Sequence, residues 1–193
     1  PILVVILAMG IGRMVISPVE VLKSTFEKFG YDYSINPQNE IVLWTIRFPR
    51  IILALLVGAG LSVAGCAFQS LFSNPLATPD TLGVASGTSF GAALGILMGF
   101  SLIGIQFSAL LFGIIAVSLT YLSGTGKGHS MNTIVLAGIM IGSLFSALVS
   151  FTKFVADSES QLPAITYWLM GSLSSASYKT LMLGAPFIIV GIF

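Results

Sequence analysis

The chain has 193 residues, 55% of them hydrophobic and only 8% charged, with a formal net charge of +1; an average soluble domain carries roughly a quarter charged residues. A mean hydropathy of +1.01 leaves too few polar side chains to cover a water-soluble globule, and there is no basic cluster to neutralise a nucleic-acid backbone. The composition specifies an integral membrane protein, all-α and polytopic, and the single Cys66 says nothing of redox compartment.

In chain order, residues 1–12 form an apolar run shorter than a membrane span. It opens in mid-hydrophobic sequence, with no initiator Met and no charged leader, which argues against a signal peptide and predicts a chain cut at both ends. Next, Ser17-Pro18-Val19-Glu20 has the capping-box pattern with proline at the first helical position, and Val19, Leu22, Phe26 and Phe29 recur on one face until Gly30. A short amphipathic helix on the membrane surface is expected there, with an ordered loop as the alternative. Four full spans are predicted at about 51–72, 80–99, 105–123 and 131–152. Charge-free runs of 29, 46 and 25 residues follow Arg50, Asp80 and Lys127, a crossing helix needs about 20, and the longest run breaks into two spans at Gly99 to Gly104. In the turn Asn74-Pro75-Leu76-Ala77-Thr78-Pro79-Asp80, Thr78 is the expected helix cap, Pro79 the first helical residue and Asp80 a partner for the helix dipole. Residues 161–170, with Pro163, Tyr167 and Trp168, predict an interfacial or re-entrant half-helix. A partial span at about 179–193 brings the total to about six.

Gly83, Gly87, Gly91, Gly95 and Gly99 recur every four residues, a ridge without side chains along which neighbouring helices can approach. Gly138, Gly142, Ser146 and Ser150 repeat the device at 131–152, and Ala54, Gly58 and Ser62 at 51–72. Such rows suit packing seams or a path wall of backbone and hydroxyls, and three rows favour a bundle over separate anchors. No span centre holds Asp, Glu, Lys, Arg or His, although proton- or voltage-driven machines usually need ionisable groups in the membrane. His129 stands alone in a short loop, where solvation suits it better than zinc ligation, and no Ser-His-Asp constellation exists. Gly124-Thr125-Gly126-Lys127-Gly128 departs from a phosphate loop at Tyr121 and Gly128. No catalytic residue, metal or cofactor is expected, and energy for uphill transport would come from another subunit.

Helix parity places 13–50, 99–105 and 153–179 on one side. Seven of the eight Lys and Arg lie there, so the positive-inside rule alone would make that side cytoplasmic.

The run Arg47-Phe48-Pro49-Arg50, Leu55-Leu56-Val57-Gly58-Ala59, Gly65, Phe68-Gln69, Leu71-Phe72, Asn74-Pro75-Leu76-Ala77, Pro79 and Leu82-Gly83-Val84 resembles the membrane permease of iron-siderophore, haem and vitamin B12 ABC importers. So do Leu136-Ala137-Gly138 and Tyr167-Trp168-Leu169-Met170-Gly171. The resemblance covers essentially the whole chain. It implies a permease of roughly ten spans, with residues 1–193 as a single transmembrane domain that lacks the ATPase-docking loop and the C-terminal half. It further implies a non-enzymatic transport subunit in the cell membrane, a homodimer working with cytoplasmic ATP-binding subunits and an extracytoplasmic substrate-binding protein. Residues 13–50 would then lie outside, and the family outweighs the charge bias because orientation is set by a whole chain.

The same resemblance implies residue roles. Arg47 and Arg50 match arginines that pair with acidic residues of the binding protein, where guanidinium forks register a carboxylate; headgroup phosphate at a helix end is the alternative. Ser130 and Met131 match a cytoplasmic gate, and the span at 131–152 would line the path with Gly138, Gly142, Ser146 and Ser150. Met131 and Asn132 stand where the vitamin B12 pattern has small hydroxyl residues, which leaves the cargo open among siderophore, haem and cobalamin. A self-contained secondary transporter or channel is the alternative function, and an intramembrane enzyme the third.

Overall fold

Apolar sequence in a lipid phase can satisfy its backbone within a single segment only as a helix. The computed structural model describes residues 2–28, 30–31, 36–75, 77–124 and 131–193, and all its regular elements are helical. In order they are α1 (Ile2–Gly10), α2 (Pro18–Lys28), α3 (Pro37–Ile41), a π-helical stretch (Val42–Arg47), α4 (Phe48–Phe72), a 3-10 turn (Pro79–Leu82), α5 (Val84–Leu97), α6 (Leu102–Gly124), α7 (Met131–Val155), α8 (Gln161–Met170) and α9 (Tyr178–Ile192). Among the described residues, three helices are long and apolar enough to cross a membrane: Pro37–Phe72, Leu102–Gly124 and Thr133–Val155.

The first of these corrects the predicted span at 51–72, since α3, the π-helical stretch and α4 run on as one helix from Pro37. Glu40, Arg47 and Arg50 break the apolar pattern without breaking the helix. Pro37 occupies the first turn, and the Asn36 side chain accepts the Gln38 N–H at 3.0 Å. In a plain α-helix the ring of Pro49 would press on the carbonyl four residues back. The wider π turn just before it relieves that crowding, and the Phe48 N–H reaches the Leu43 carbonyl, five residues back.

The predicted span at 80–99 is also corrected. It divides into the 3-10 turn and α5, whose 14 residues reach only about 21 Å, short of the ~30 Å hydrocarbon core. Gly83, at φ +73°, is the left-handed joint between them, and Gly99, at φ +69°, turns the chain toward α6. Thr78 holds the cap position with Pro79 behind it, but its hydroxyl makes no cap bond; Thr81 Oγ1 instead donates to the Thr78 carbonyl at 2.6 Å.

Contacts divide the chain into two compact units: residues up to Val63 with Leu173–Phe193, and Ala64–Ser172. In the second, Phe90 of α5, Phe112 of α6 and Phe145 of α7 meet with ring centroids 4.9 to 6.4 Å apart. Here α8 buries Ile165 with Ala93 and Ala156. Pro163 falls within its first turn, where no intrahelical donor is required, and Gln161 Nε2 holds the Leu97 carbonyl at 3.1 Å.

In the first unit, Met9, Ile16, Val21 and Leu43 form a core with Trp44, Phe48 and Ile51 around it. Ser17 Oγ accepts the Glu20 N–H at 3.2 Å to start α2, while the Glu20 carboxylate accepts from Asn39. Val21 and Ser24 form the buried row of α2, and Val19, Leu22 and Phe26 point outward. The apolar stripe read from the sequence is therefore the outer face, as suits a helix lying on lipid; Phe29 lies outside the described residues. Trp44 ties the unit together: its indole N–H donates to Ser24 Oγ at 2.9 Å and its carbonyl accepts from Tyr178 Oη at 2.7 Å. Ser177 and Thr180 form a reciprocal capping box for α9.

Candidate functional site

Two places bring sequence-selected residues together. The first is a cavity of about 330 Å³ in the first unit, lined by Arg13, Arg47 and Arg50 and otherwise by small or apolar residues including Ala8, Met14 and Ile46. Arg47 and Arg50 are three residues apart, so one helical turn brings both to it.

The two arginines are not equivalent. Arg47 is only 8% exposed, and its two terminal nitrogens donate to the carbonyls of Met9 and Met14. Met9 belongs to the last turn of α1, whose carbonyls lack intrahelical partners and carry the negative end of the helix dipole. A buried guanidinium therefore finds its compensation in backbone oxygens. Room for it depends on glycine: a Cβ at Gly12 would stand 2.7 Å from Arg47 Nη2, and one at Gly10 2.8 Å from the Ile16 carbonyl. The Ile16 N–H closes the loop on the Gly10 carbonyl at 3.0 Å. Arg50 is half-buried, donates through Nη2 to the Ser174 carbonyl at 2.6 Å, and has its Nε unpartnered among the described residues.

In the same unit, Lys28 and Glu40 form an ion pair at 2.7 Å, and Lys28 lies 5.9 Å from the centre of the Trp44 ring. Hydrogen bonding to Glu40 and its charge raise the Lys28 pKa above the ordinary lysine value. Both groups are exposed, so the pair adds little to stability.

The second place is the seam of the glycine rows in the other unit. Gly87, Gly91 and Gly95 lie against α6: a Cβ at Gly87 would come 2.7 Å from the Phe112 carbonyl, and one at Gly91 would strike the Ser108 carbonyl. Ser108 Oγ donates to the Gly91 carbonyl at 2.7 Å and the buried Thr120 Oγ1 to the Leu82 carbonyl at 3.0 Å, so α6 hydroxyls bind the backbone that these glycines expose. The predicted five-glycine ridge is thus three residues long within α5. Gly83 and Gly99 are turn residues, and Gly99 faces open space among the described residues.

On α7, Gly138 is buried with no space for a Cβ beside the Thr81 carbonyl, and Gly142 meets Gly83. Ser146 and Ser86 hydroxyls lie 3.3 Å apart, and Ser150 Oγ bonds the Ser146 carbonyl at 3.0 Å. Within this row Gly138 is a seam residue, whereas Ser146 and Ser150 remain exposed. Ser130 lies outside the described residues, and Met131 is the first residue of α7.

Sequence reasoning missed Arg13, Trp44, Thr120 and Tyr178. Gly10 and Gly12 directly after an apolar run were the available signal for the turn that carries Arg13.

The whole chain, residues 1–193, matches the model of the FecCD transport family. Among curated relatives, the molybdate import system permease protein MolB of Haemophilus influenzae is 38% identical over 95% of this chain and 55% of its own length. The hemin transport system permease protein HmuU of Yersinia pestis is 34% identical over 97% and 56%. The cobalamin import system permease protein BtuC of Halobacterium salinarum is 35% identical over 82% and 43%. A solved structure described as an inward-facing conformation of a metal-chelate type ABC transporter superposes with a TM-score of 0.82 at 34% identity, covering 98% of this chain and 56% of that one. The chain spans about half the length of the relatives it matches. With apolar helices of crossing length, a glycine-seamed bundle and a family match from end to end, this multi-pass membrane chain belongs to the FecCD transport family.

Proposed function

We propose that the chain forms part of the membrane permease of an ATP-binding-cassette importer, offering a metal-bearing small molecule a path through the bilayer. The family match along all 193 residues carries this reading. The sequence supports it, because span centres without an ionisable side chain provide no ion-coupling device. Energy then comes from cytoplasmic ATP-binding subunits, cargo from an extracytoplasmic binding protein, and the path from pairing with a second permease copy. Arg50, with Arg47 behind it, serves the outer docking surface. Ser130 and Met131 form the cytoplasmic gate. Ser146 and Ser150 face the path, with Gly138 and Gly142 setting the seam behind it. Ferric siderophore, haem and cobalamin are the cargoes the sequence resemblance implies, and the molybdate relative adds a metal oxyanion.

The test is uptake by the full-length protein in proteoliposomes, with its ATP-binding subunits inside and its binding protein outside, offered each of the four cargoes in turn. Accumulation of one of them that requires ATP is expected. Accumulation driven by a proton or sodium gradient, with the ATP-binding subunits omitted, would establish the secondary-transporter alternative instead.

A further inference from the structure

Most cations of the first unit are committed. Arg47 lies enclosed on the Met9 and Met14 carbonyls, Arg50 holds the Ser174 carbonyl, and Lys28 is paired with Glu40. Outside the cavity, Lys23 and Lys179 are both exposed, and neither makes a hydrogen bond or ion pair among the described residues. Each stands next in sequence to a residue that bonds Trp44: Lys23 beside Ser24, which accepts the indole N–H, and Lys179 beside Tyr178, which donates to the Trp44 carbonyl. The described carboxylates of the unit offer them no counter-charge. Glu20 accepts from Asn39, Glu40 accepts from Lys28, and Glu27 has one carboxylate oxygen buried away from solvent.

We infer that the outer face of α2 and these two lysines form a binding surface for anionic phospholipid, with Val19, Leu22 and Phe26 in the acyl layer and the ammonium groups on headgroup phosphate. The inference is independent of what docks at the arginine cavity. Spacings of three and four residues put the exposed Val19, Leu22 and Phe26 in one row, and Lys23, four residues after Val19, borders it. From there a lysine reaches the headgroup layer on its own apolar stem. Lys179 marks the same kind of boundary on α9, because it stands in the first turn of an apolar helix, Tyr178–Ile192. Trp44, half-buried and bonded to the neighbours of both lysines, is a residue type that favours this level of a bilayer. A soluble partner would also bury the apolar row. What selects lipid is the exposed positive charge beside that row, since a bilayer sets negative headgroups directly above an apolar layer.

The experiment places a bimane on Val19→Cys in the full-length protein, with Cys66→Ser and any further cysteine also changed to Ser, in phosphatidylcholine nanodiscs. A series of discs carries doxyl-labelled phosphatidylglycerol or doxyl-labelled phosphatidylcholine as quencher. Both lipids should quench, with phosphatidylglycerol reaching half-quenching at roughly a fifth of the mole fraction that phosphatidylcholine needs, an advantage that shrinks as salt is raised. Lys23→Gln with Lys179→Gln should remove the advantage and leave quenching by phosphatidylcholine unchanged, which also reports an intact fold. Lys23→Arg with Lys179→Arg should keep the advantage. Quenching by neither lipid puts the row under protein or water and overturns the inference. Equal quenching by both lipids, with the two lysines in place, overturns headgroup selection. An advantage that survives the double Gln variant overturns the role of the lysines.

Discussion

In Ala64–Ser172 the closest approaches are made by backbone, with Gly87, Gly91 and Gly138 admitting carbonyls of neighbouring elements where a side chain would stand. Around Arg47, the other unit closes through long polar side chains laid on carbonyls: Arg47 on Met9 and Met14, Arg50 on Ser174, Tyr178 on Trp44. The first mode suits a lipid phase, where helices gain nothing from hiding apolar surface from one another and must profit from proximity. The second needs donors with long reach, which are tolerable where a helix meets the interface.

The sharpest way to break this contrast is to fill a seam. Gly138→Leu should destabilise the full-length protein by about 3 kcal/mol or more, read as a large fall in the thermal midpoint in detergent. Gly58→Ala, whose Cβ would meet nothing within 4 Å, should leave the midpoint nearly unchanged; equal losses would mean that glycine spacing does not mark the seams. Next in size, Arg47→Gln should cost the Gly10–Ile16 turn about 2 kcal/mol, seen as faster hydrogen exchange at the Ile16 amide while Ala64–Ser172 keeps its protection. Ser108→Ala should cost only about 0.6 kcal/mol, because the close packing of Gly91 survives loss of the hydroxyl; a cost as large as that of Gly138→Leu would make hydroxyls, and not proximity, the main tie.

The smallest effect is one of pH. Asp157 accepts the backbone N–H and the hydroxyl of Ser160 at 2.8 and 2.7 Å, and these bonds hold its carboxyl below the usual carboxylate range. A folded value below the unfolded one means that the contribution is present in full above about pH 3.9 and lost as pH falls through the lower folded value. Exchange at the Ser160 amide should accelerate over that window in the natural protein, and Asp157→Asn should abolish the transition.

Much of the bundle was legible because charge-free length and glycine spacing are properties of single helices. The seam residues Gly87, Gly91 and Gly95 were found by period alone, and the limits of α6, α7 and α8 follow where polar residues begin. What period does not reveal is the partner. Nothing in the spacing of Arg47 and Arg50 shows that one is enclosed by a turn more than thirty residues earlier in the chain, and nothing in the row of Gly138 shows that it meets the Thr81 carbonyl. Likewise, Val19, Leu22 and Phe26 were recognisable as a stripe suited to a membrane surface, but their period did not show that Ser24 on the opposite row would take the Trp44 indole N–H. The upstream extension of α4 stayed hidden because Pro49 and three charges read as a boundary.

The π-helical stretch also gives the region an unusual sensitivity to length. A wide turn is an α-helix carrying one surplus residue, and removing any single position between Val42 and Arg47 would let an ordinary turn form with no break in the helix. Everything upstream would then swing by about 100° around the axis relative to Arg50. That one-residue shortening would carry Glu40 away from Lys28, while altering no other amino acid, so natural length variation at this point is a readable mark of how the surface around Arg50 is set.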